Sequence, residues 1–288
     1  MKWKPTIAVS TACFDGYPID VALQTLSSLD GISIELAYIA GYVDNFSEEL
    51  FSDDHVRTVR KLLDENDLTC TAVSAHTDLS TDGGLDRGLR RIRFGAGVGA
   101  ERVVTNAAIV ENERVFRENL DVLAREAELC QIDLLLENPG DGYENVVNDG
   151  ATAAQFATAF LGSRIGVNYD FGNVISHFRE AVEPESDWLS VRHLVRYFHL
   201  KDVIREGDCW RYPELGTGMI DYNRILPMIA EDQAVNALGL ELPLRLRRSA
   251  ETPNGKTDTP LAIDEIMHIV KRSKDYLSHR IDHEESDN

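Results

Sequence analysis

Short apolar runs alternate with segments of helical periodicity along almost the entire chain. The runs have the length and composition of buried strands and lie at positions 6–10, 31–37, 68–75, 101–106, 132–137, 164–170, 195–201 and 237–242. Helical patterns cover positions 18–29, 53–66, 85–98, 111–130, 149–161, 187–194, 222–231 and 260–278. Eight strand–helix alternations in 288 residues predict an α/β fold, a (β/α)8 TIM barrel forming one domain over 1–280. We expect the charged tail at 281–288 to fray.

The alternative α/β architecture is an open doubly wound sheet. Such a sheet usually carries a glycine-rich phosphate turn after its first strand. The segment 10–14 (STACF), which follows the first predicted strand, contains no glycine. We therefore favour the closed barrel.

Side chains alternate between the two faces of each predicted strand, and the two faces differ in polarity. In the last strand, Leu238, Leu240 and Leu242 alternate with Gly239 and Glu241, and three other strands are divided in the same way. Because outer helices cover the large apolar face, the small and polar face points toward the barrel axis. Ionisable side chains therefore gather near the carboxyl ends of the strands, where barrel enzymes hold their active sites.

Four ionisable residues end the fifth to eighth predicted strands on this inward face: Glu137, Asp170, His199 and Glu241. Three carboxylates in one confined mouth repel each other, and a divalent cation removes that cost. One imidazole and three carboxylates suit Mn²⁺, which we expect, or Mg²⁺ or Co²⁺, with Zn²⁺ also compatible. The alternative is a set of unrelated polar residues satisfied by loop hydrogen bonds.

Five segments together resemble the xylose-isomerase-like barrel superfamily of sugar phosphate isomerases and epimerases. They are 136–138 (LEN), 169–173 (YDFGN), 199–202 (HLKD), 240–242 (LEL) and the GxGxID-like loop 215–221 (LGTGMID). The resemblance implies that Glu137, Asp170, His199 and Glu241 hold the metal. It also implies that Glu137 and Glu241 act as acid and base. Superfamily members often form dimers or tetramers, so a homo-oligomer is compatible with the sequence.

The same resemblance suggests substrate contacts. Arg205, six residues after His199, matches a substrate-binding arginine of the ketose 3-epimerases, and Glu144 with Tyr143 resembles their Tyr-Glu pair. Asn173 stands where epimerases of free ketoses usually carry a histidine. Pentulose-5-phosphate 3-epimerases have a DxGN version of this stretch, which favours a phosphorylated or otherwise acidic substrate.

Other candidates follow from position alone. His76 closes the third strand and is placed either to touch substrate hydroxyls or to bond a loop carbonyl. Lys201 shares the inward face with His199 and is predicted to pair with Asp170 or Glu241, or else to bind a substrate oxyanion. Glu35 is expected to support the metal ligands. The basic run 245–248 (RLRR) is interpreted as charge balance on an acidic surface, with phosphate binding as the alternative.

The charge and the cysteine content of the chain limit which binding partners and which cellular compartment are expected. The chain has 29 Lys and Arg against 49 Asp and Glu, a net charge of −20, which argues against nucleic-acid or membrane partners. With only 7 Lys among the basic residues, this surface is typical of a halophilic organism, and an acidic mesophilic protein is the alternative. No signal peptide or spanning segment is recognisable, and the four cysteines form no close pair. These features predict a cytoplasmic protein with reduced thiols.

The leading functional hypothesis is an isomerase or epimerase of a sugar or sugar phosphate that moves a proton beside a carbonyl through a metal-stabilised enediolate. A dehydratase of a keto-polyol, of the inosose or dehydroshikimate type, would use the same site. The net charge of −20 disfavours a hydrolase similar to the apurinic endonucleases, and so does the position of the 8 histidines, most of which lie outside the predicted strand ends. A binding protein without catalysis is the remaining class.

Overall fold

The computed structural model describes residues 3–44, 46–232 and 235–283. Its strands are β1 (Thr6–Ser10), β2 (Ile32–Ala37), β3 (Cys70–Ser74), β4 (Arg102–Asn106), β5 (Asp133–Glu137), β6 (Ile165–Asp170), β7 (Val195–Leu200), β8 (Ile204–Glu206), β9 (Cys209–Arg211), β10 (Ala237–Leu240) and β11 (Arg247–Arg248). Its helices are α1 (Ile19–Leu26), α2 (Asp53–Glu65), α3 (Gly84–Val98), α4 (Glu113–Cys130), α5 (Gly150–Ala157), α6 (Phe171–Phe178), α7 (Pro184–Asp187), α8 (Tyr222–Asp232) and α9 (Ile263–His283).

Eight parallel strands close into a barrel in the order β1-β10-β7-β6-β5-β4-β3-β2. Closure is made by β1, which pairs with β2 on one side and with β10 on the other. The register places Ser10 opposite Glu35, and Val9 opposite Leu240. This architecture confirms the predicted (β/α)8 barrel, in which β10 is the eighth barrel strand.

The barrel has an apolar floor and a polar mouth. The floor is a separate small cluster inside the barrel, formed by Ala8, Ala72, Val104, Leu135, Tyr197 and Ala237. The larger apolar side chains of the strands pack outward against the helices, as the alternation predicts. Gly239 leaves space for two interior side chains, since a Cβ there would lie 2.7 Å from the Tyr197 hydroxyl and 2.9 Å from the His199 ring. The interior can therefore hold bulky polar groups above the floor.

The connection between β6 and β7 differs from the prediction. The helix expected at 187–194 is wrong, because α7 ends at Asp187 and only a 3-10 turn follows at Trp188–Ser190. Instead α6 begins directly after β6, without a loop. The Asp170 carboxylate accepts from the Asn173 backbone N–H at 2.9 Å and so caps the helix.

A small antiparallel sheet lies beside the barrel mouth and was not predicted. It consists of β8, β9 and β11 in the order β11-β9-β8, so the loop after β7 pairs with the loop after β10. At the far end of the chain, α9 continues to His283, so the first residues of the predicted tail belong to this helix, and 284–288 lie outside the described residues. In the part of the chain that the structure describes, no helix is both long and apolar enough to cross a membrane.

Candidate metal centre and active site

Four side chains converge at the carboxyl ends of adjacent strands. Glu137 and Asp170 are the last residues of β5 and β6, His199 lies near the end of β7, and Glu241 directly follows β10. All four are between 0 and 4% exposed, and one ligand atom from each lies within 4.8 Å of the others. The structure thus brings together the same four residues that strand alternation placed at the barrel mouth.

The His199 imidazole is oriented from the opposite side of the barrel. Its Nε2 lies 2.9 Å from Oε2 of Glu35 on β2, and Glu35 is itself completely buried. Among the described residues its Nδ1 has no hydrogen-bond partner, and it faces Oε2 of Glu137 at 3.2 Å and Oε2 of Glu241 at 3.6 Å. A carboxylate that holds one imidazole N–H leaves the lone pair of the other nitrogen free to bind a metal. The buried, unpartnered Nδ1 among carboxylates fits a divalent cation.

The charges of the cluster fit a bound cation. Burial lowers the pKa of His199, but the carboxylates of Glu35, Glu137 and Glu241 outweigh it and raise this pKa well above its usual value. Burial raises the pKa of Asp170 to about 7, with Lys201 opposing the shift and the neighbouring glutamates adding to it. Without a metal, protons and the Lys201 ammonium carry the balancing charge.

Lys201 bridges two of the candidate ligands. Its Nζ lies 2.6 Å from Oδ2 of Asp170 and 2.6 Å from Oε2 of Glu241, and the side chain is buried. Burial alone would lower the pKa of this ammonium, but the carboxylates of Asp170 and Glu241 raise it above its usual value. The pairing predicted for Lys201 is what the structure shows.

Glu137 is held by neutral donors. The Asn173 side-chain amide donates to Oε1 at 2.8 Å, the Asn168 amide donates to Oε2 at 3.0 Å, and His76 Nε2 lies 3.4 Å from Oε2. Burial raises the pKa of Glu137, but His199, His76 and Lys201 lower it by a larger amount. The pKa of this carboxyl therefore lies below its usual value, and the group is ionised. Asn168 was not among the predicted site residues, although it stands on the inward face two positions before Asp170.

These groups open onto a cavity of about 270 Å³ at the barrel mouth. Glu137, Glu241, Lys201, Asn173 and His76 line it. Further lining residues are Tyr42 and Leu246 from loops, Asn106 at the end of β4 and Arg248 on β11. The His76 ring is fixed between the Ser74 hydroxyl, 2.9 Å from Nε2, and the Asn106 side chain at Nδ1. His76, Lys201 and Asn173 therefore lie at the cavity.

Arg205 and Glu144 do not line this cavity and lie in two separate surface pockets. Arg205 is on β8, is 49% exposed, and lies over the Trp210 ring at 5.4 Å in a separate surface pocket. The β8–β9 hairpin pairs it with Trp210, and both residues line that separate pocket. Glu144 is exposed and lines another surface pocket beside α4 and α5.

The basic run after β10 is not a balancing surface charge, which corrects that interpretation. Arg245 is buried, and its guanidinium pairs with Asp15 at 2.9 Å and with Asp44 at 2.6 Å. Lys256 contacts the same two carboxylates, so the loops after β1, β2 and β10 are tied together. Arg248 lines the cavity itself.

The glycine loop at 215–221 is built around Asp202. The Asp202 carboxylate accepts from the backbone N–H groups of Gly216 at 2.9 Å, Gly218 at 2.8 Å and Ile220 at 3.2 Å. A Cβ at Gly218 would lie 2.2 Å from Oδ1 of Asp202, so a larger residue would break this contact. The loop thereby supports the strand end that carries His199 and Lys201.

The family model for the xylose isomerase-like TIM barrel matches residues 31–265. No curated protein matches the chain. Three solved structures illustrate the similarity. D-allulose 3-epimerase from Methylomonas sp. in complex with D-allulose has a TM-score of 0.70 and 13% identity, over 97% of this chain and 99% of that chain. A xylose isomerase-like TIM barrel protein from Mycobacterium smegmatis in complex with magnesium has a TM-score of 0.66 and 16% identity, over 96% and 100%.

The third structure is the probable 3-DHS dehydratase AsbF from Bacillus anthracis, with a TM-score of 0.61 and 15% identity over 84% of this chain and 92% of that chain. Identities this low show a shared fold. The family model covers most of the barrel, including all four residues of the candidate metal centre. The chain therefore belongs to the xylose isomerase-like TIM barrel family.

Proposed function

We propose that this protein is a divalent-metal-dependent epimerase or isomerase of sugars or sugar phosphates, with chemistry like that of the ketose 3-epimerases. The observation that carries the proposal is the unpartnered Nδ1 of His199, buried among carboxylates while Glu35 holds its other nitrogen. The donor set of Glu137, Asp170, His199 and Glu241 suits Mn²⁺, Mg²⁺ or Co²⁺, with Zn²⁺ compatible. Such an ion, when bound, polarises a carbonyl and a neighbouring hydroxyl. This acidifies the C–H of the carbon that bears the hydroxyl, beside the carbonyl.

Glu137 and Glu241 are the proposed proton carriers. They belong to the ends of β5 and β10, which are separated in the barrel by β6 and β7. Burial raises the pKa of Glu241, but Lys201 and His199 lower it below its usual value, and the pKa of Glu137 is lowered as well. Both carboxylates are therefore ionised and able to accept a proton. Epimerisation needs exchange on both faces of a planar intermediate, and two carboxylates provide one base for each face.

The surrounding side chains hold these carboxylates in place. Asn168 and Asn173 each donate one hydrogen bond to Glu137, which restricts the rotation of its carboxylate. Lys201 donates to Glu241 at 2.6 Å. We infer that His76 and Asn173, which line the cavity, also contact substrate hydroxyls.

A dehydratase is the second candidate, supported by the shared fold with the probable dehydratase AsbF. In that reaction one glutamate would remove the proton, and a second group would protonate the departing hydroxyl. The two candidates differ in their products. An epimerase returns a saturated ketose, whereas a dehydratase releases water and an unsaturated compound.

The test is a turnover screen in D₂O with Mn²⁺ and molar KCl, using ketoses, ketose phosphates and keto-sugar acids. We expect an epimer to form with deuterium at one carbon beside the carbonyl, as seen by NMR. An unsaturated product would establish the dehydratase instead. Exchange with none of the compounds would refute both activities. Glu144→Gln serves as the matched control, because Glu144 is exposed and lies outside the cavity.

A further inference from the structure

Arg248 presents a guanidinium to the cavity of the candidate active site. The residue lies on β11, is half-buried and forms part of the cavity wall. Its Nη1 donates to the Asn173 side-chain oxygen at 3.1 Å, to the Ser176 hydroxyl at 3.1 Å and to the Tyr212 hydroxyl at 3.0 Å. Its Nε donates to the Pro253 carbonyl at 2.9 Å. All of these acceptors are neutral.

Within the part of the chain that the structure describes, the guanidinium has no acidic partner. Over 3–44, 46–232 and 235–283, no carboxylate oxygen comes within the 4.0 Å that defines an ion pair with Arg248. Each of the three most buried arginines pairs with a carboxylate: Arg91 with Glu48, Arg102 with Glu101, and Arg245 with Asp15 and Asp44. An arginine without such a partner is unexpected in the binding cavity of a chain with 49 acidic and 29 basic residues.

The residues around the Arg248 guanidinium leave space for it and fix its orientation. A Cβ at Gly140 would lie 1.9 Å from Nη1, so only glycine admits the guanidinium at this point. Asn173, Ser176 and Tyr212 are all buried, which fixes the orientation of the group. An arginine fork offers five N–H donors. The hydrogen bonds to Pro253, Asn173, Ser176 and Tyr212 use the N–H donors of Nε and Nη1. Among the described residues, Nη2 has no protein partner.

Resting on the function proposed above, we propose that Arg248 makes this site select a ketose that carries an oxyanion, either a phosphate or a carboxylate. A planar guanidinium binds both groups through paired, charge-assisted hydrogen bonds. Lys201, the other cation on the cavity wall, is already shared by two carboxylates. The carboxylates of Asp78 and Asp141 also line the cavity, but they accept hydrogen bonds within their own loops, from Ser80 and from the Tyr143 N–H.

The position of Arg248 also tells which part of the substrate it contacts. The Asn173 amide separates the two ends of the site, with its oxygen bonded to Arg248 and its nitrogen bonded to Glu137. The oxyanion therefore lies on a part of the ketose away from the carbon at which the proton is exchanged. Recognition of the anion and transfer of the proton are thus assigned to different residues.

Binding affinities measured by calorimetry test this assignment. The probes are neutral D-fructose, its 6-phosphate and the keto-sugar acid 5-keto-D-gluconate, titrated into protein loaded with Mn²⁺. We expect at least one of the two anions to bind about 10- to 100-fold more tightly than D-fructose. Arg248→Gln should remove most of this preference, and Arg248→Lys should keep only part of it.

Two further variants separate recognition from folding. Arg247→Gln is the matched control and should keep the preference, because Arg247 donates to the backbone carbonyls of Leu244 and Leu246. Gly140→Ala should weaken the preference by displacing the guanidinium while leaving Arg248 in the chain. Circular dichroism checks that each variant folds.

The outcomes distinguish this inference from the proposed function. Equal binding of all three probes, binding of neither anion, or an unchanged preference in folded Arg248→Gln would each overturn the role of Arg248, even in an active epimerase. An Arg248-dependent preference for an anion would support that role. The same preference in a protein that exchanges no deuterium with any ketose would refute only the epimerase.

Discussion

Replacement of Lys201 with methionine should destabilise the metal-free protein far more than the metal-loaded protein. The Lys201 ammonium is buried, and it lies 2.6 Å from Asp170 and 2.6 Å from Glu241. Methionine keeps most of the side-chain volume and removes the charge. In the metal-free protein, two buried carboxylates then lose their nearest cation. In the loaded protein, the divalent ion supplies positive charge to the same cluster.

The expected decrease in melting temperature follows from the burial of Lys201 and its two carboxylate partners. Removing one partner of a buried ion pair costs about 3–5 kcal/mol. Unfolding entropy is about 2.1 cal/mol/K per residue, so a chain of 288 residues has about 0.6 kcal/mol/K. The melting temperature of the metal-free protein should therefore fall by about 5–8 °C. With saturating Mn²⁺, we expect less than about half of this decrease.

Differential scanning calorimetry in EDTA and in MnCl₂ measures both values. Lys271→Met is the control, because Lys271 is exposed on α9 and its replacement should change neither melting temperature by more than about 1 °C. An equal decrease for Lys201→Met in EDTA and in Mn²⁺ would show that the ammonium and the metal do not share a site. No decrease in EDTA would refute the charge-balance argument itself.

Three further results are expected. Glu35→Gln should weaken Mn²⁺ binding by about 10- to 100-fold in a chelator competition, because the carboxylate no longer orients His199, and unchanged affinity would contradict this role. Glu137→Gln and Glu241→Gln, each with full metal occupancy, should abolish net epimerisation yet allow deuterium exchange on the remaining face, as followed by NMR; near-normal interconversion by either would rule out two bases. The melting temperature should rise from dilute to molar KCl, where the screening length falls to about 3 Å, and a flat or falling curve would count against a halophilic origin.

The barrel and its four donors could be predicted because both depend on short-range patterns. Alternation along a strand decides which face a side chain occupies, and parallel strands in a barrel all end at one mouth. Glu137, Asp170, His199 and Glu241 needed nothing more than these two rules to be brought together. The position of Lys201 could be predicted by the same reasoning, since it lies two residues after His199 on the same face of the strand.

Residues on loops could not be placed in this way. Six residues after His199 the chain is already in the β8–β9 hairpin, where Arg205 pairs with Trp210 and lines a pocket separate from the cavity. Arg248 enters the cavity because β11 pairs with β9 across a separation that no local pattern encodes. The helix α6 escaped prediction because Asp170 both ends a strand and caps the helix that follows.

The hydrogen bond between Glu35 and His199 has a consequence for how much of the chain the site requires. All four candidate ligands come from residues 137–241, whereas Glu35 belongs to β2 in the first quarter of the chain. Strands β2 and β7 are not neighbours in the closed barrel, since β1 and β10 lie between them on one side and β3 to β6 on the other. A fragment beginning at β5 would carry every ligand and still lack the group that sets the imidazole tautomer. We therefore expect tight retention of a metal to depend on the closed ring of strands, which places Glu35 beside His199.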